Sequence, residues 1–198
     1  MAHEARTMIY LREKGYPVPA IDKLSEYGMD LVMERIEGPS MVDAIARAPW
    51  TIRRQARTLA DLHIRLHDLA APDFLPPAPV GVGERVIHLD LHPLNVIMGP
   101  KGPVVIDWSN AAAGDPRVDV GLAWVLLAAG QVPGNPLLAR LLASGRALLV
   151  NGFLSHFDRD DVARRLQEVV AWKVQDEHMS AAEVDGMWRV VEQAEARA

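Results

Sequence analysis

The chain has 198 residues, 49% of them apolar and 24% charged, a composition typical of a globular protein. The net charge is −5 without a basic cluster, so we expect no nucleic-acid partner, and the absence of cysteine excludes disulfides and thiolate metal sites. The apolar runs are too short to span a bilayer and the first residues lack the apolar core of a signal peptide, so we expect a cytoplasmic protein with no membrane partner.

The first forty residues predict one helix followed by two strands. Residues 2–14 are predicted to be helical, and the helix should end where Pro17 and Pro19 begin, because a residue before proline disfavours the helical region. Strands are predicted over 21–24 and 31–36, around a turn at Tyr27-Gly28.

Two helices and a loop are predicted next. Ser40 with Asp43 three residues later is typical of the start of a helix. Residues 51–69 carry apolar side chains at helical spacing, which predicts a long amphipathic helix. The segment 72–83 contains four prolines and is therefore predicted to be a loop.

The segment 88–108 combines two carboxylates and an amide with two short β-type runs. Residues 96–98 and 104–106 flank a Gly-Pro-Lys-Gly turn, which predicts a hairpin. A hairpin would bring Asn95, before its first strand, and Asp107, after its second, to the same end. Mg²⁺ binds few protein oxygens and keeps its waters, so these two side chains suffice for a site.

The last third of the chain predicts helices only. Helical segments are expected over 118–129, 137–153, 160–174 and 180–197, and Ser180 with Glu183 forms a second capping motif. Because strands occur only in the first part of the chain, the pattern favours an α+β fold over a doubly wound sheet.

The spacing of the central segment resembles that of a known enzyme family. The pattern His-x-Asp-x-x-x-x-Asn over 88–95 matches the catalytic loop of protein kinases, and Asp107 follows at the position of their magnesium aspartate. His-Pro at 92–93, Asp-Trp at 107–108 and Gly-Asp-Pro-Arg-Val-Asp at 114–119 resemble the aminoglycoside phosphotransferase and choline kinase-like family. The resemblance implies a protein-kinase-like fold with a mostly helical C-terminal lobe, a catalytic β-hairpin and a partial N-terminal lobe.

The same resemblance implies an activity and residue roles. The reaction would move the γ-phosphoryl group of ATP, or of another NTP, to a hydroxyl of a small-molecule substrate with Mg²⁺ as cofactor. Asp90 would be the catalytic base, and Asn95 and Asp107 would be the metal ligands. His88 and Asp119 would support the catalytic loop. The sequence defines no oligomeric state.

The resemblance also divides the chain into two lobes. Residues 1–37 would be a partial N-terminal lobe and residues 38–198 the helical catalytic lobe. Backbone groups of the hinge would meet the adenine; this hinge comprises Met33, Glu34, Arg35 and Ile36. Glu4 would match the glutamate that pairs with the phosphate-binding lysine of the family. The Gly-rich loop and that lysine should precede Glu4, so we expect a fragment, a different start, or a non-catalytic remnant that acts as a binding domain.

Two other interpretations remain open at this point. His88, Asp90 and His92 alternate along the chain and could bind zinc. His63 and His67 are also spaced for zinc, four apart on a predicted helix, but such a pair more often consists of ordinary helix residues. Asp115 and Asp119 would make the surroundings of Asp90 acidic, which would tolerate a cationic acceptor such as an aminosugar.

Overall fold

The computed structural model of the chain describes residues 2–24, 30–129, 136–177 and 179–196. The first helix, α1 (Ala2–Glu13), ends at Gly15, which has a φ of +74° and allows the Tyr16 N–H to bond to the Leu11 carbonyl at 2.9 Å. This confirms the predicted helix and gives its end a glycine-based cap.

Two short strands follow α1 and pair with each other. Strand β1 (Ile21–Leu24) is antiparallel to β2 (Leu31–Met33), and Ile21 lies opposite Met33. Strand β2 is shorter than predicted, because residues 34–36 continue as an extended segment outside the ladder. The turn predicted at Tyr27-Gly28 lies outside the described residues.

The next two helices agree with the sequence pattern. Helix α2 (Met41–Arg47) begins after Ser40, whose Oγ accepts the Asp43 N–H at 3.1 Å. A 3₁₀ turn at Pro49–Thr51 leads into α3 (Ile52–His67), which ends two residues earlier than predicted.

Four strands surround the central segment and form two antiparallel pairs. The predicted hairpin is confirmed as β4 (Val96–Gly99) and β5 (Gly102–Val105). A second pair, β3 (Arg85–Ile87) with β6 (Ala112–Gly114), was not predicted. Each of its strands has three residues, and the two are separated by the whole hairpin.

The remaining described elements are helices. They are α4 (Pro116–Ala129), α5 (Pro136–Leu154), α6 (Arg159–Ala163), α7 (Leu166–Lys173) and α8 (Ala181–Glu195). The Ser180–Glu183 capping box at the start of α8 is confirmed. The final predicted residue of that helix, Arg197, lies outside the described residues.

The single helix predicted over 160–174 is wrong, because α6 and α7 are separate. The chain turns at Arg164 and Arg165, where the Arg165 N–H bonds to the Val162 carbonyl at 2.9 Å. The Arg165 side chain reaches the Asp115 carboxylate at 3.1 Å. This placement depends on the local turn, which one continuous straight helix would lack.

One hydrophobic core joins the two parts of the chain. Met8 and Leu11 of α1 belong to the same buried cluster as Trp108 and the apolar side of α4. Trp108 is fully buried, donates its indole N–H to the Val105 carbonyl at 3.1 Å and lies edge-on to Tyr16. Within the described residues, none of the helices combines the length and apolar character needed to cross a membrane.

Candidate active site

A buried carboxylate, Asp119, stabilises the loop between β3 and β4 through hydrogen bonds. Leu89 has a φ of +60°, and Asp119 in the first turn of α4 accepts the N–H groups of Leu89 at 2.8 Å and His88 at 3.0 Å. His67 of α3 also bonds to Asp119 at 3.0 Å. Burial alone would raise the pKa of Asp119, but the hydrogen bond and charge of His67 outweigh it and hold this pKa well below its usual range.

Asp90 and Asn95 contact each other across this loop. The Asn95 Nδ2 donates to the Asp90 carbonyl at 3.0 Å and to the Asp90 Oδ2 at 3.1 Å. Because the amide nitrogen faces Asp90, the Asn95 Oδ1 is left for another ligand. His92 lies on the other side, with its Nε2 3.5 Å from the Asp90 Oδ1. Burial lowers the pKa of His92, and the charge of Asp90 opposes this effect.

The hairpin brings Asp107 to the same end as Asn95. The Ile106 N–H donates to the Asn95 carbonyl at 3.0 Å, and the Ile106 carbonyl lies 3.1 Å from the His88 Nε2. Asp107 follows with a φ of +64°, and its Oδ1 accepts the Ser109 hydroxyl at 2.7 Å. A non-glycine residue in this conformation is strained, and such strain is concentrated at functional sites.

His88 lies between the two carboxylates. It is fully buried, and burial lowers its pKa, while the charges of Asp119, Asp90 and Asp107 act in the opposite direction. Both Asp90 and Asp107 are therefore close enough to His88 to influence its protonation. Its lowered pKa favours a neutral ring that links the loop to the hairpin.

These donors fit a hard cation better than zinc. The Asn95 Oδ1 and the Asp107 carboxylate are oxygen ligands of the kind that Mg²⁺ prefers. The His88 Nε2 is directed at the Ile106 carbonyl, so this nitrogen does not join His92 and Asp90 in a ligand set. Among the described residues, no group of three or more His, Asp or Glu side chains is arranged to hold a metal ion. The zinc interpretation therefore gains no support.

The predicted hinge lies beside the turn of the hairpin. The Glu34 N–H donates to the Ala20 carbonyl at 2.8 Å, which continues the β1–β2 pairing by one residue. A cleft of about 340 Å³ separates residues 34–37 from the hairpin turn at 99–102. Glu4 is half-buried on α1 and makes no ion pair with any residue that the structure describes.

The central segment of the chain has known relatives. Residues 73–159 match the model of the phosphotransferase enzyme family. The resemblance found in the sequence is thereby confirmed. No curated protein sequence matches the chain significantly.

Solved structures confirm the protein-kinase-like fold of this phosphotransferase-like chain. Choline kinase LicA from Streptococcus pneumoniae is similar with a TM-score of 0.54 and 17% identity, over 98% of this chain and 80% of the other. Amicoumacin kinase hAmiN, solved with AMP-PNP, Ca²⁺ and Ami, has a TM-score of 0.53 and 14% identity, over 100% of this chain and 77% of the other. At these identities the likeness establishes the fold alone.

The structure adds to the candidate site residues that the sequence analysis did not assign to it. His67 reaches Asp119 from 52 positions away, and the Lys173 charge contributes to lowering the pKa of His92. Neither the hydrogen bond from His67 nor the charge effect of Lys173 has a local sequence signal. Ser109 lies two residues from Asp107, so its proximity could have been noticed.

The expectation that Asp115 and Asp119 make the surroundings of Asp90 acidic, and so tolerant of a cationic acceptor, is not supported. Asp119 is 1% exposed and already accepts three hydrogen bonds. Asp115 is 5% exposed and is paired with Arg117 and Arg165. Burial by itself would raise the pKa of Asp115, but the Arg117 hydrogen bonds lower it below the usual value. Both carboxylates therefore stabilise the fold and are not free to bind an acceptor.

Proposed function

We propose that this chain is a phosphotransferase that moves the γ-phosphoryl group of ATP, or of another NTP, to a hydroxyl of a small molecule in the cytoplasm. The observation that carries the proposal is the hydrogen bond between Asn95 and Asp90, together with the bond from the Ile106 N–H to the Asn95 carbonyl, which anchors the residue before Asp107 to Asn95. Phosphoryl transfer requires from a protein mainly positioning and charge stabilisation, which a carboxylate beside two metal-binding oxygens can supply. The family match over 73–159 supports the same class of reaction.

Asp90 is the proposed catalytic base. Its side chain is 21% exposed, so an acceptor hydroxyl can reach it from solvent. The bond from Asn95 fixes Oδ2, and Oδ1, which lies 3.5 Å from the His92 Nε2, would accept the hydroxyl proton. The proton would pass from the acceptor oxygen to the Asp90 carboxylate as that oxygen attacks the γ-phosphorus. The bond from the γ-phosphorus to the β-phosphate oxygen would break in the same step, and ADP, or the corresponding NDP, would leave.

Asn95 and Asp107 are the proposed ligands of Mg²⁺. When bound, the ion would supply positive charge against the nucleotide phosphates. His88 and Asp119 have supporting roles in this proposal. Asp119 stabilises the backbone of the loop that carries Asp90, and His88 connects this loop to the residue before Asp107.

The proposed nucleotide site continues toward the hinge. In this proposal, backbone groups at 33–36 meet the adenine where residues 1–37, the partial N-terminal lobe, join the catalytic lobe at 38–198. Glu4 is retained as a supporting residue that would pair with a phosphate-binding lysine. The similar solved structures are kinases of choline and of amicoumacin, and the sequence resembles aminoglycoside phosphotransferases, so choline-like alcohols, amicoumacin and aminoglycosides are the first acceptors to test.

The proposal can be tested by ATP consumption in the presence of Mg²⁺ across a panel of choline, ethanolamine, amicoumacin, aminoglycosides and simple sugars. Asp90→Ala should reduce turnover by about 10²-fold or more, the effect of removing a general base. Binding of Mg²⁺-ATP, measured by calorimetry, should survive this substitution. Asn95→Ala and Asp107→Ala should instead weaken the Mg²⁺-dependent part of nucleotide binding.

Asp61→Asn is the matched control, because Asp61 is a half-exposed carboxylate on α3 whose only ion pair with a described residue is a loose contact with Arg57 at 3.9 Å. Equal turnover in wild type and Asp90→Ala would remove Asp90 from the mechanism. Binding of Mg²⁺-ATP by the wild type without turnover of any acceptor would favour the alternative, a non-catalytic binding domain.

A further inference from the structure

A cavity in the helical lobe has a chemistry different from that of the catalytic loop. It has a volume of about 330 Å³ and lies among α4, α5, α8 and the start of α6. Trp124 and Ala128 of α4 form part of its wall. These residues follow Asp119 by five and nine positions, so they lie roughly 8 and 14 Å farther along the helix axis. The cavity is therefore separate from the loop that carries Asp90.

The lining of this cavity contains two arginines and no carboxylate. Its polar members are Arg146, Arg159, Asn151 and Gln193. A positively charged lining is unexpected in a chain whose net charge is −5. It is most simply explained if the cavity accepts an anionic group.

Arg146 is a cation without a paired acid. Its Nη1 donates to the Ala128 carbonyl at 3.4 Å, a weak bond to a neutral acceptor at the end of α4. Within the part of the chain that the structure describes, Arg146 forms no salt bridge. A guanidinium carries five N–H donors in a planar fork that matches carboxylate and phosphate oxygens, so most of its binding capacity is available.

Arg159 is oriented by its surroundings toward the same cavity. Its guanidinium lies 4.9 Å from the centre of the Trp124 ring, and its Nη1 donates to the Asn151 Oδ1 at 3.3 Å. Because the Asn151 Oδ1 accepts this bond, the amide nitrogen is a further donor of this lining residue. Gln193 on α8 also lines the cavity and is exposed.

The rest of the wall is apolar. Trp124, Val150, Val190 and Ala194 are all at least nine-tenths buried. A volume above 300 Å³ lies in the range of small-molecule sites, which combine apolar walls with a few placed polar groups. The ligand should therefore carry one anionic group and a compact apolar body.

We propose that the cavity lined by Arg146, Arg159 and Trp124 is a second binding site, which takes a small organic anion with a carboxylate or phosphate head group and an apolar body. The anion is bound by the two guanidinium groups and the Asn151 amide. Its apolar part packs against Trp124 and the valines of α5 and α8. The site goes beyond the proposed phosphoryl transfer, because it does not use Asp90, Asn95 or Asp107.

The test uses ¹⁹F NMR titration of the full chain with three fluorinated probes, in low-salt buffer without phosphate. The probes are 4-fluorobenzoate, 4-fluorophenyl phosphate and the neutral 4-fluorobenzamide. At least one anion should bind saturably, and the amide should bind at least tenfold more weakly. If one anion alone binds, it defines the head group as carboxylate or phosphate.

Arg146→Gln and Arg159→Gln should each weaken binding of the anion at least tenfold. Ala147→Phe should block the cavity, because Ala147 is an exposed lining residue on α5 and tolerates a larger side chain. Arg53→Gln is the control, since Arg53 is an exposed arginine on α3 outside the cavity. Circular dichroism of each variant confirms that it is folded.

Three results would overturn the proposal: no binding of either anion, equal affinity for the amide, or anion binding that Arg146→Gln, Arg159→Gln and Ala147→Phe leave unchanged.

Asp90→Ala should retain the anion affinity of the wild type. Loss of anion binding in Asp90→Ala would place the probes in the catalytic cleft and would also contradict the second site. The outcome is independent of whether any acceptor is phosphorylated.

Discussion

The Asp119 carboxylate accepts the N–H of Leu89 at 2.8 Å, and Leu89 has a φ of +60°. An L-residue in the left-handed region costs roughly 1–2 kcal/mol, so the loop needs a fixed partner to hold this shape. Asp119 supplies it from 30 positions away and is itself buried. The conformation beside Asp90 therefore depends on the first turn of α4.

Asp119→Asn should lower the free energy of unfolding by about 3 kcal/mol, in the range measured when one partner of a buried pair is removed. The reason is that one amide oxygen cannot replace two carboxylate oxygens that accept three hydrogen bonds, including the bond to His67. Urea unfolding measures the loss. Asp61→Asn, at a half-exposed position, should change stability little, and equal losses in both variants would contradict the bracing role.

The buried histidine of α3 should make the fold sensitive to mild acid. Burial lowers the pKa of His63 from 6.5 to about 4, and its Nε2 has no partner among the described residues. Because the unfolded chain binds the proton first, stability should fall as the pH decreases from 6.5 toward 4, by up to about 3 kcal/mol. His63→Leu should reduce this slope in urea unfolding curves measured at several pH values.

His156→Leu is the control for this experiment, because His156 is exposed and its replacement should leave the slope unchanged. His88 is also buried with a lowered pKa, so part of the slope should remain in His63→Leu. A slope identical to that of the wild type in His63→Leu would show that His63 is not kept neutral by the fold.

Asp107 combines a strained backbone with a proposed metal-binding side chain, and two substitutions separate these properties. Asp107→Gly and Asp107→Ala both remove the carboxylate, so both should weaken Mg²⁺-dependent nucleotide binding. Only glycine adopts a φ of +64° without strain, so Asp107→Gly should be more stable than Asp107→Ala by about 1 kcal/mol. Thermal unfolding compares the two, and equal stabilities would argue against strain at this residue.

Gly38 sets the distance between the hinge and the catalytic hairpin. A Cβ at this position would collide with the Met98 carbonyl oxygen of β4, and backbone is not free to move aside. Gly38→Ala should therefore displace the hairpin and weaken nucleotide binding at least tenfold, although Gly38 is not a proposed ligand. Gly102→Ala is the control, because Gly102 also has a positive φ (+128°) and shares the backbone strain of a substitution, whereas a Cβ there meets open space. Calorimetry with Mg²⁺-ATP measures both, and an equal effect would contradict this steric role.

The sequence predicted best those features that depend on neighbouring residues. The capping box at Ser180 and the β4–β5 hairpin were recognised because the residues that determine them lie within a few positions of one another. The β3–β6 pair was missed because Ala112–Gly114 consists of small residues without β-type character, and its partner precedes the entire catalytic loop. The break between α6 and α7 was missed because it falls at Arg164 and Arg165, where no Gly or Pro marks it, and the pairing of Arg165 with Asp115 joins residues fifty positions apart.

The candidate site likewise has features that the sequence predicted and features that it did not. The spacing of Asp90, Asn95 and Asp107 is visible in the sequence, because a loop and a hairpin bring them together locally. The sequence does not show whether a nearby carboxylate is free to bind a ligand. Asp119 was expected to contribute negative charge around Asp90, whereas its hydrogen bonds to His67 and to the loop occupy it fully.

Ile106 is bonded through both of its backbone groups, to Asn95 on one side and to His88 on the other. The loop that carries Asp90 and the hairpin are therefore a single stiff unit whose parts shift together. Helices α5, α7 and α8 lie outside this unit. Under the proposed function, substitutions in these helices would leave the residues proposed for the chemistry in place.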